Sequence, residues 1–192
     1  MPRLQKSKDK RDALLSASLK LINEGGIQSA SMAKIAKLAN VSPATIYLYF
    51  ENKQDLINSL YLNTKASFCS WTFKDYELDA SIKKSFEYIW YNISTYKLEN
   101  IEEASFLAQC NNSPMVGEEV LKEGLKHLQP LLDLWIRGQR EGLIKNISPY
   151  LLYAYSIYPL DFLMNTENCP SYQINDDLLK DAFNAAWDSI KM

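Results

Sequence analysis

Histidine occurs once in 192 residues and cysteine three times, and that scarcity removes several chemistries at the outset. Cys69, Cys110 and Cys169 are odd in number, far apart and without a CxxC pair, so reduced, buried thiols are expected instead of a disulfide framework or a zinc site. His127 has no acidic partner at a telling spacing, and HExxH, GxSxG and phosphate-loop patterns are missing. That speaks against an enzyme, and neither a metal nor a cofactor is expected. Six glycines and seven prolines are too few for a linker-rich or disordered chain. No apolar leader follows MPRLQKSKDKR, and the longest greasy stretch, YLLYAYSIYPLDFLM, contains Ser156, Pro159 and Asp161. It falls short of the roughly eighteen residues a spanning helix needs, so a cytoplasmic protein without a membrane partner is expected.

Alternating apolar and polar runs bounded by turn residues are also missing, while three- and four-residue apolar spacing recurs along nearly the whole chain. This pattern predicts an all-α fold. The formal charge of −2 hides a gradient: residues 1–60 hold nine Lys/Arg against five Asp/Glu, and the rest hold twelve against eighteen. A basic head on an acidic body suits an anionic partner for the head, or else a solvated helix face. The run Lys6, Lys8, Lys10 and Arg11 has the same two readings, a phosphate or minor-groove arm or a solvated surface.

The spacing predicts a first helix over residues 8–24, with Ser7 as a possible cap and Gly25-Gly26 as its end. Ser31 caps a two-turn helix that buries Ile35, Leu38 and Ala39. Asn40 sits at a left-handed position, and Ser42 caps a third helix opened by Pro43, whose missing N–H costs nothing at that site. Two short helices across a tight turn form a helix-turn-helix. Asn52 caps the fourth helix, with Asp55 completing a short-armed capping box. Further helices are predicted over residues 79–96, 101–110, 117–141 with a kink at Pro130, 149–164 with a second kink site at Pro159, and 175–192.

The stretch VSPATIYLYFENK raises the functional question. In a helix over residues 43–50, Ile46 and Phe50 face the core, which turns Thr45, Leu48 and the ends of Tyr47 and Tyr49 outward or to the rim. A recognition helix has this character, because its tip enters the major groove while tyrosine hydroxyls and nearby lysines bond phosphates. Lys34 lies at the start of a helix, where a cation opposes the dipole by about 0.3 to 1 kcal/mol and a bound phosphate would offset the penalty.

Residues 8–60, centred on SMAKIAKLANVSPATIYLYFENKQDL, resemble the DNA-binding domain of TetR-family transcriptional regulators. The likeness covers the glycine turn, the alanine-containing second helix, the V-S-x-x-T-hydrophobic-Y-x-Y-F run and the N-K-x-x-L start of the fourth helix. GQREGLI followed by a Ser-Pro start is similar to the family's entry into its dimerisation helices. The resemblance implies a helix-turn-helix DNA-binding domain over 1–60 and a larger helical effector-binding and dimerisation domain over 61–192. It implies a homodimer through the last two helices, a double-stranded DNA operator and a small-molecule effector. It assigns Pro43, Ala44, Thr45 and Leu48 to base edges, Ser42, Tyr47, Tyr49 and Lys53 to phosphates, and Ser31 with Lys34 to the flanking backbone. Asn40 and Ala44 stand where many members have glycine; Tyr49 reads equally as core.

The recognition tip lacks Arg, Lys, Asn and Gln, so bidentate contacts to guanine or adenine are unavailable and thymine methyls are the natural partners. An A·T-biased, near-palindromic operator is expected. Ten of twelve tyrosines and all four tryptophans follow residue 60. Trp71, Phe86, Trp90, Phe106, Trp135, Tyr153 and Tyr158 either line an apolar effector cavity or form ordinary core. Asp161 meets either a cationic ligand or solvent. Rival readings are a helical protein-interaction module and, last, an all-α enzyme.

Overall fold

The computed structural model describes residues 2–77, 80–164 and 174–192, with side chains from residue 7 onward; Cys169 and Asp79 lie outside the described residues. The described chain is helical, and its only β feature is an isolated antiparallel bridge between Ile144 and Lys191. The helices are α1 (Pro2–Ser29), α2 (Met32–Leu38), α3 (Pro43–Ile46), α4 (Lys53–Thr72), α5 (Ile82–Glu99) and α6 (Ile101–Asn112). They continue as α7 (Glu118–Leu125), α8 (Gln129–Arg140), α9 (Pro149–Ser156), α10 (Pro159–Leu163) and α11 (Asp176–Ile190). Among the described residues no helix is long and apolar enough to cross a membrane.

Two compact units emerge from the packing. The first joins residues 1–66 to 102–125, and the second joins 67–101 to 126–192.

In the first unit, α1 is interrupted at Gly25 and Gly26, the latter at φ 71°, as the paired glycines predict. The helix begins at Pro2, so Ser7 lies inside it and is no cap. Leu14, Leu15, Ala17 and Ile22 of α1 enter the core with Ile35 and Ala36 of α2. Leu38 is 47% exposed, against the expectation that α2 buries it. Residues 102–125 are built into this unit by polar ties. Asn23 Nδ2 donates to the carbonyl of Glu102 at 2.8 Å, Gln109 Nε2 to Asn23 Oδ1 at 3.1 Å, and Gln54 Nε2 to the carbonyl of Met115 at 2.9 Å. Burial pushes the Cys110 thiol up to about 12, which leaves it a packing group and a poor nucleophile.

Gly124 of α7 lies against Tyr61 of α4. A Cβ there would sit 2.6 Å from Tyr61 Cε1 and 2.7 Å from its hydroxyl. Gly124→Ala is therefore expected to lower stability by about 1 to 3 kcal/mol through overpacking, measured as a lower urea midpoint with the m-value unchanged.

In the second unit α5 packs on α8 and α11, and α11 on α9. Its core is aromatic: the Phe183 ring lies 5.7 Å from Trp90, 5.7 Å from Tyr91 and 6.2 Å from Phe86. Trp90 Nε1 donates to the carbonyl of Ser156 at 3.0 Å. The predicted kinks prove to be breaks. A 3-10 turn, Lys126–Leu128, precedes α8, whose first turn contains Pro130, and Pro159 opens α10. Each proline sits where its absent N–H needs no partner, so a new helix starts there instead of an old one bending.

Candidate DNA-recognition surface

The elements that present residues 42–50 are fixed by local chemistry. Ser31 Oγ accepts from the Lys34 amide at 3.3 Å, and Ser42 Oγ accepts from the Thr45 amide at 3.2 Å, each satisfying a donor that a helix start leaves open. Between them Asn40 takes φ 54°, a left-handed turn that asparagine tolerates better than most residues. The Val41 amide then donates to the Ala36 carbonyl at 2.9 Å and closes the turn.

The third helix is shorter than the sequence suggests. It ends at Ile46, and residues 47–49 form a turn in which the amides of Leu48 and Tyr49 donate to the carbonyls of Thr45 and Ile46 at 3.1 Å. These bonds span three residues and tighten the backbone. Ile46 and Phe50 anchor the segment, both essentially sealed from solvent. Between the anchors Tyr47 is 58% and Leu48 82% exposed. Ser42, Pro43 and Ala44 are exposed, and Thr45 is half-buried. The Thr45 and Ser42 hydroxyls lie 2.7 Å apart, so the hydroxyl of Thr45 is engaged within the segment.

Ser31 and Lys34 are exposed on α2, and the Lys34 ammonium has no ion-pair partner among the described residues. Tyr49 is half-buried, and its hydroxyl accepts from Ser7 at 3.3 Å. Lys53 is turned inward: its Nζ donates to the carbonyl of Ile27. At the start of α4, Asn52 Oδ1 accepts from the Asp55 amide at 3.0 Å and Asp55 Oδ2 accepts from the Glu51 amide at 3.0 Å, a reciprocal cap with the arm reaching one residue further back than in the usual box.

Sequence reasoning names Ser7 as a possible cap and Arg11 in the basic run, but misses the contacts that α1 brings to this surface through them. Ser7 reaches Tyr49, and the Arg11 guanidinium lies 5.6 Å from the centroid of the Phe50 ring. Partners 42 and 39 positions away leave no local pattern in the sequence.

The eight candidate effector residues fall in both units. Phe106 belongs to the first unit and the other seven to the second. Phe86, Trp90 and Trp135 are fully buried, Trp71 is 41% and Tyr158 42% exposed, and Tyr153 is half-buried. Phe86 and Trp90 pack as core around Phe183. Trp135 differs, because its buried Nε1 has no hydrogen-bond partner among the described residues. The Asp161 carboxylate does not simply reach solvent, since it pairs with Lys97 at side-chain exposures of 14% and 13%. A pocket of about 100 Å³ opens in the first unit between α1, α4 and α6, with Asp12, Leu15, Leu60 and Glu103 among its walls; none of the eight lines it.

Two short helices across a left-handed turn, the second presenting exposed side chains between buried anchors, define a helix-turn-helix DNA-binding protein. Residues 14–60 match the family model for bacterial regulatory proteins of the tetR family, and residues 81–191 that for the tetracyclin repressor-like C-terminal domain. The chain belongs to the TetR family of transcriptional regulators. An uncharacterized HTH-type transcriptional regulator of Haemophilus influenzae is 26% identical over 188 residues, 97% of this chain and 98% of that protein. A TetR family transcription regulator from Marinobacter aquaeolei VT8 superposes with a TM-score of 0.90 at 25% identity, covering 97% of this chain and 98% of that one. The transcriptional regulator FadR from Bacillus subtilis in complex with stearoyl-CoA has the same fold, with a TM-score of 0.70 at 23% identity over 92% of this chain and 95% of that one. The protein is thus a DNA-binding regulator and not an enzyme.

Proposed function

We propose that this regulator is a cytoplasmic, ligand-responsive repressor that binds a near-palindromic, A·T-biased operator as a homodimer. The observation that carries the reading is Leu48, 82% exposed with Tyr47 beside it at 58%, on a segment whose neighbours Ile46 and Phe50 are sealed. Pro43, Ala44, Thr45 and Leu48 face base edges in this reading. Ser42, Tyr47, Tyr49 and Lys53 bond phosphates, and Ser31 with Lys34 engages the flanking backbone. The Thr45 hydroxyl lies 2.7 Å from that of Ser42, and this engagement supports reading through apolar groups, for which thymine methyls are the natural partners. Selection of binding sites from a random duplex pool is expected to return half-sites dominated by A·T pairs; G·C-rich half-sites would refute the base-reading scheme.

Tyr150, Leu151, Tyr155, Tyr158 and Phe162 of the α9–α10 region are exposed, an apolar surface that a second copy would cover. The exposed positions of α11 from Lys180 onward, Lys180, Asp181, Asn184, Ala185 and Asp188, are mostly polar, so α9 and α10 support the pairing more strongly than α11. Equilibrium sedimentation at micromolar concentration tests the dimer, and a monomer would contradict it. For the effector, the buried Trp135 Nε1, without a partner among the described residues, favours an apolar molecule bearing an acceptor. The stearoyl-CoA complex of FadR makes acyl-CoA the first class to try in an operator-release screen.

A further inference from the structure

We infer that the pocket between α1, α4 and α6 is a binding site for a small primary amine in its ammonium form. The inference goes beyond the DNA-binding reading above and does not rest on it, and none of the candidate effector residues takes part.

Every wall of the pocket belongs to the first unit. Leu15 of α1 and Leu60 of α4, both 3% exposed, supply apolar surface. Asp12 of α1, Asn63 and Thr64 of α4 and Glu103 of α6 supply polar groups, and no lysine, arginine or histidine is among the lining residues.

The state of two side chains points to a ligand. Thr64 is 3% exposed, yet its hydroxyl has no hydrogen-bond partner among the described residues, and buried polar groups in that state are rare. Helical hydroxyls can bond the carbonyl four positions earlier. Ser18 and Ser156 do so, donating to Leu14 and Leu152 at 2.7 and 2.6 Å, whereas Thr64 keeps its hydroxyl for the pocket. Asp12 has neither an ion pair nor a side-chain hydrogen bond among the described residues, although Lys8 stands four positions earlier on α1, a spacing at which helix ion pairs form. Glu103 already has an interaction of its own, so the charge offered to a ligand is that of Asp12.

A carboxylate, a hydroxyl and a side-chain amide oxygen are three acceptors, and a primary ammonium carries three N–H donors and no acceptor. Its alkyl stem would lie on Leu15 and Leu60. An anion would meet the Asp12 carboxylate instead. A cavity of about 150 Å³ takes benzene, so the roughly 100 Å³ here holds about four heavy atoms. An occupant would tie α4 to α1, the helix whose Ser7 and Arg11 touch the recognition segment at Tyr49 and Phe50.

The test titrates the full chain with propylamine, without DNA, in phosphate buffer at constant ionic strength, and follows amide chemical shifts by NMR. Saturable shifts at Asp12, Asn63 and Thr64 are expected, with a Kd of about 1 mM. Propan-1-ol, which keeps the stem and loses the charge, and tetramethylammonium, which keeps the charge and loses the N–H donors, are each expected to bind at least about tenfold more weakly. Asp12→Asn, at an exposed position, should weaken propylamine binding about tenfold, and Thr64→Val, which removes the hydroxyl and keeps the shape, about fivefold. Asp12→Asn carries the test should the valine variant not fold. Shifts that never saturate would leave the pocket to water and overturn the inference. Saturation unchanged by Asp12→Asn overturns it as well, as does propan-1-ol or tetramethylammonium binding as tightly as the amine. None of these outcomes touches the DNA-binding reading, which duplex titration decides separately.

Discussion

Leu48→Glu is expected to weaken operator binding at least about a hundredfold, near 2.7 kcal/mol, while leaving the thermal midpoint nearly unchanged. The side chain is 82% exposed on the turn after α3, and substitutions at such positions usually alter stability by less than about 0.5 kcal/mol. A carboxylate there meets the anionic duplex, and like-charge juxtaposition across an interface costs several kcal/mol. Under the proposed base-reading scheme the variant also forgoes apolar packing on a thymine methyl. Titration of the selected operator at fixed salt, beside a melting curve of each protein, checks both halves. A variant that binds like the parent would remove the turn from the interface.

The largest stability loss is expected from Trp90→Ala. The indole is 1% exposed, its ring lies 5.3 Å from Tyr91 and 5.7 Å from Phe183, and its N–H closes on the Ser156 carbonyl. Truncating a buried tryptophan costs about 3 to 5 kcal/mol, a large part of the roughly 5 to 15 kcal/mol that holds an ordinary domain together. Denaturant unfolding followed by circular dichroism should show this loss, while Trp71→Ala, at a site 41% exposed, should cost far less. A loss under about 1 kcal/mol for Trp90→Ala would mean the aromatic cluster is loosely packed.

The parts of this fold that could be read from the sequence are those decided within a few residues. Ser31, Ser42, Asn52, Ser148 and Asn175 all accept the amide three positions on, since a cap and its donor are neighbours along the chain. The left-handed Asn40 and the break at Gly25-Gly26 follow from backbone sterics alone. Ile46 and Phe50 obey helical spacing because their four-residue interval survives the tightening after Ile46. Pro130 and Pro159 were legible as disturbances, but bend and restart share one signature until the preceding residues are seen to leave the helix.

Long-range partners were not legible. Lys53 and Asp161 are charged residues whose partners, the Ile27 carbonyl and Lys97, lie 26 and 64 positions away. Nothing in a single sequence distinguishes a lysine aimed at solvent from one aimed at a backbone oxygen. The same holds for the aromatic residues after position 60, where side-chain type favours burial but does not separate core from cavity lining.

The interleaved course of the first unit bears on how the chain can be cut. Tyr61 rests on Gly124, and Asn23 and Gln54 bond groups at positions 102 to 115. A fragment severed after residue 66 would carry the whole recognition segment yet have its flank stripped bare, with an uncovered tyrosine ring and amides left for water. Transplanting this reading head onto another scaffold therefore calls for the later stretch as well, supplied in the same chain or as a separate peptide.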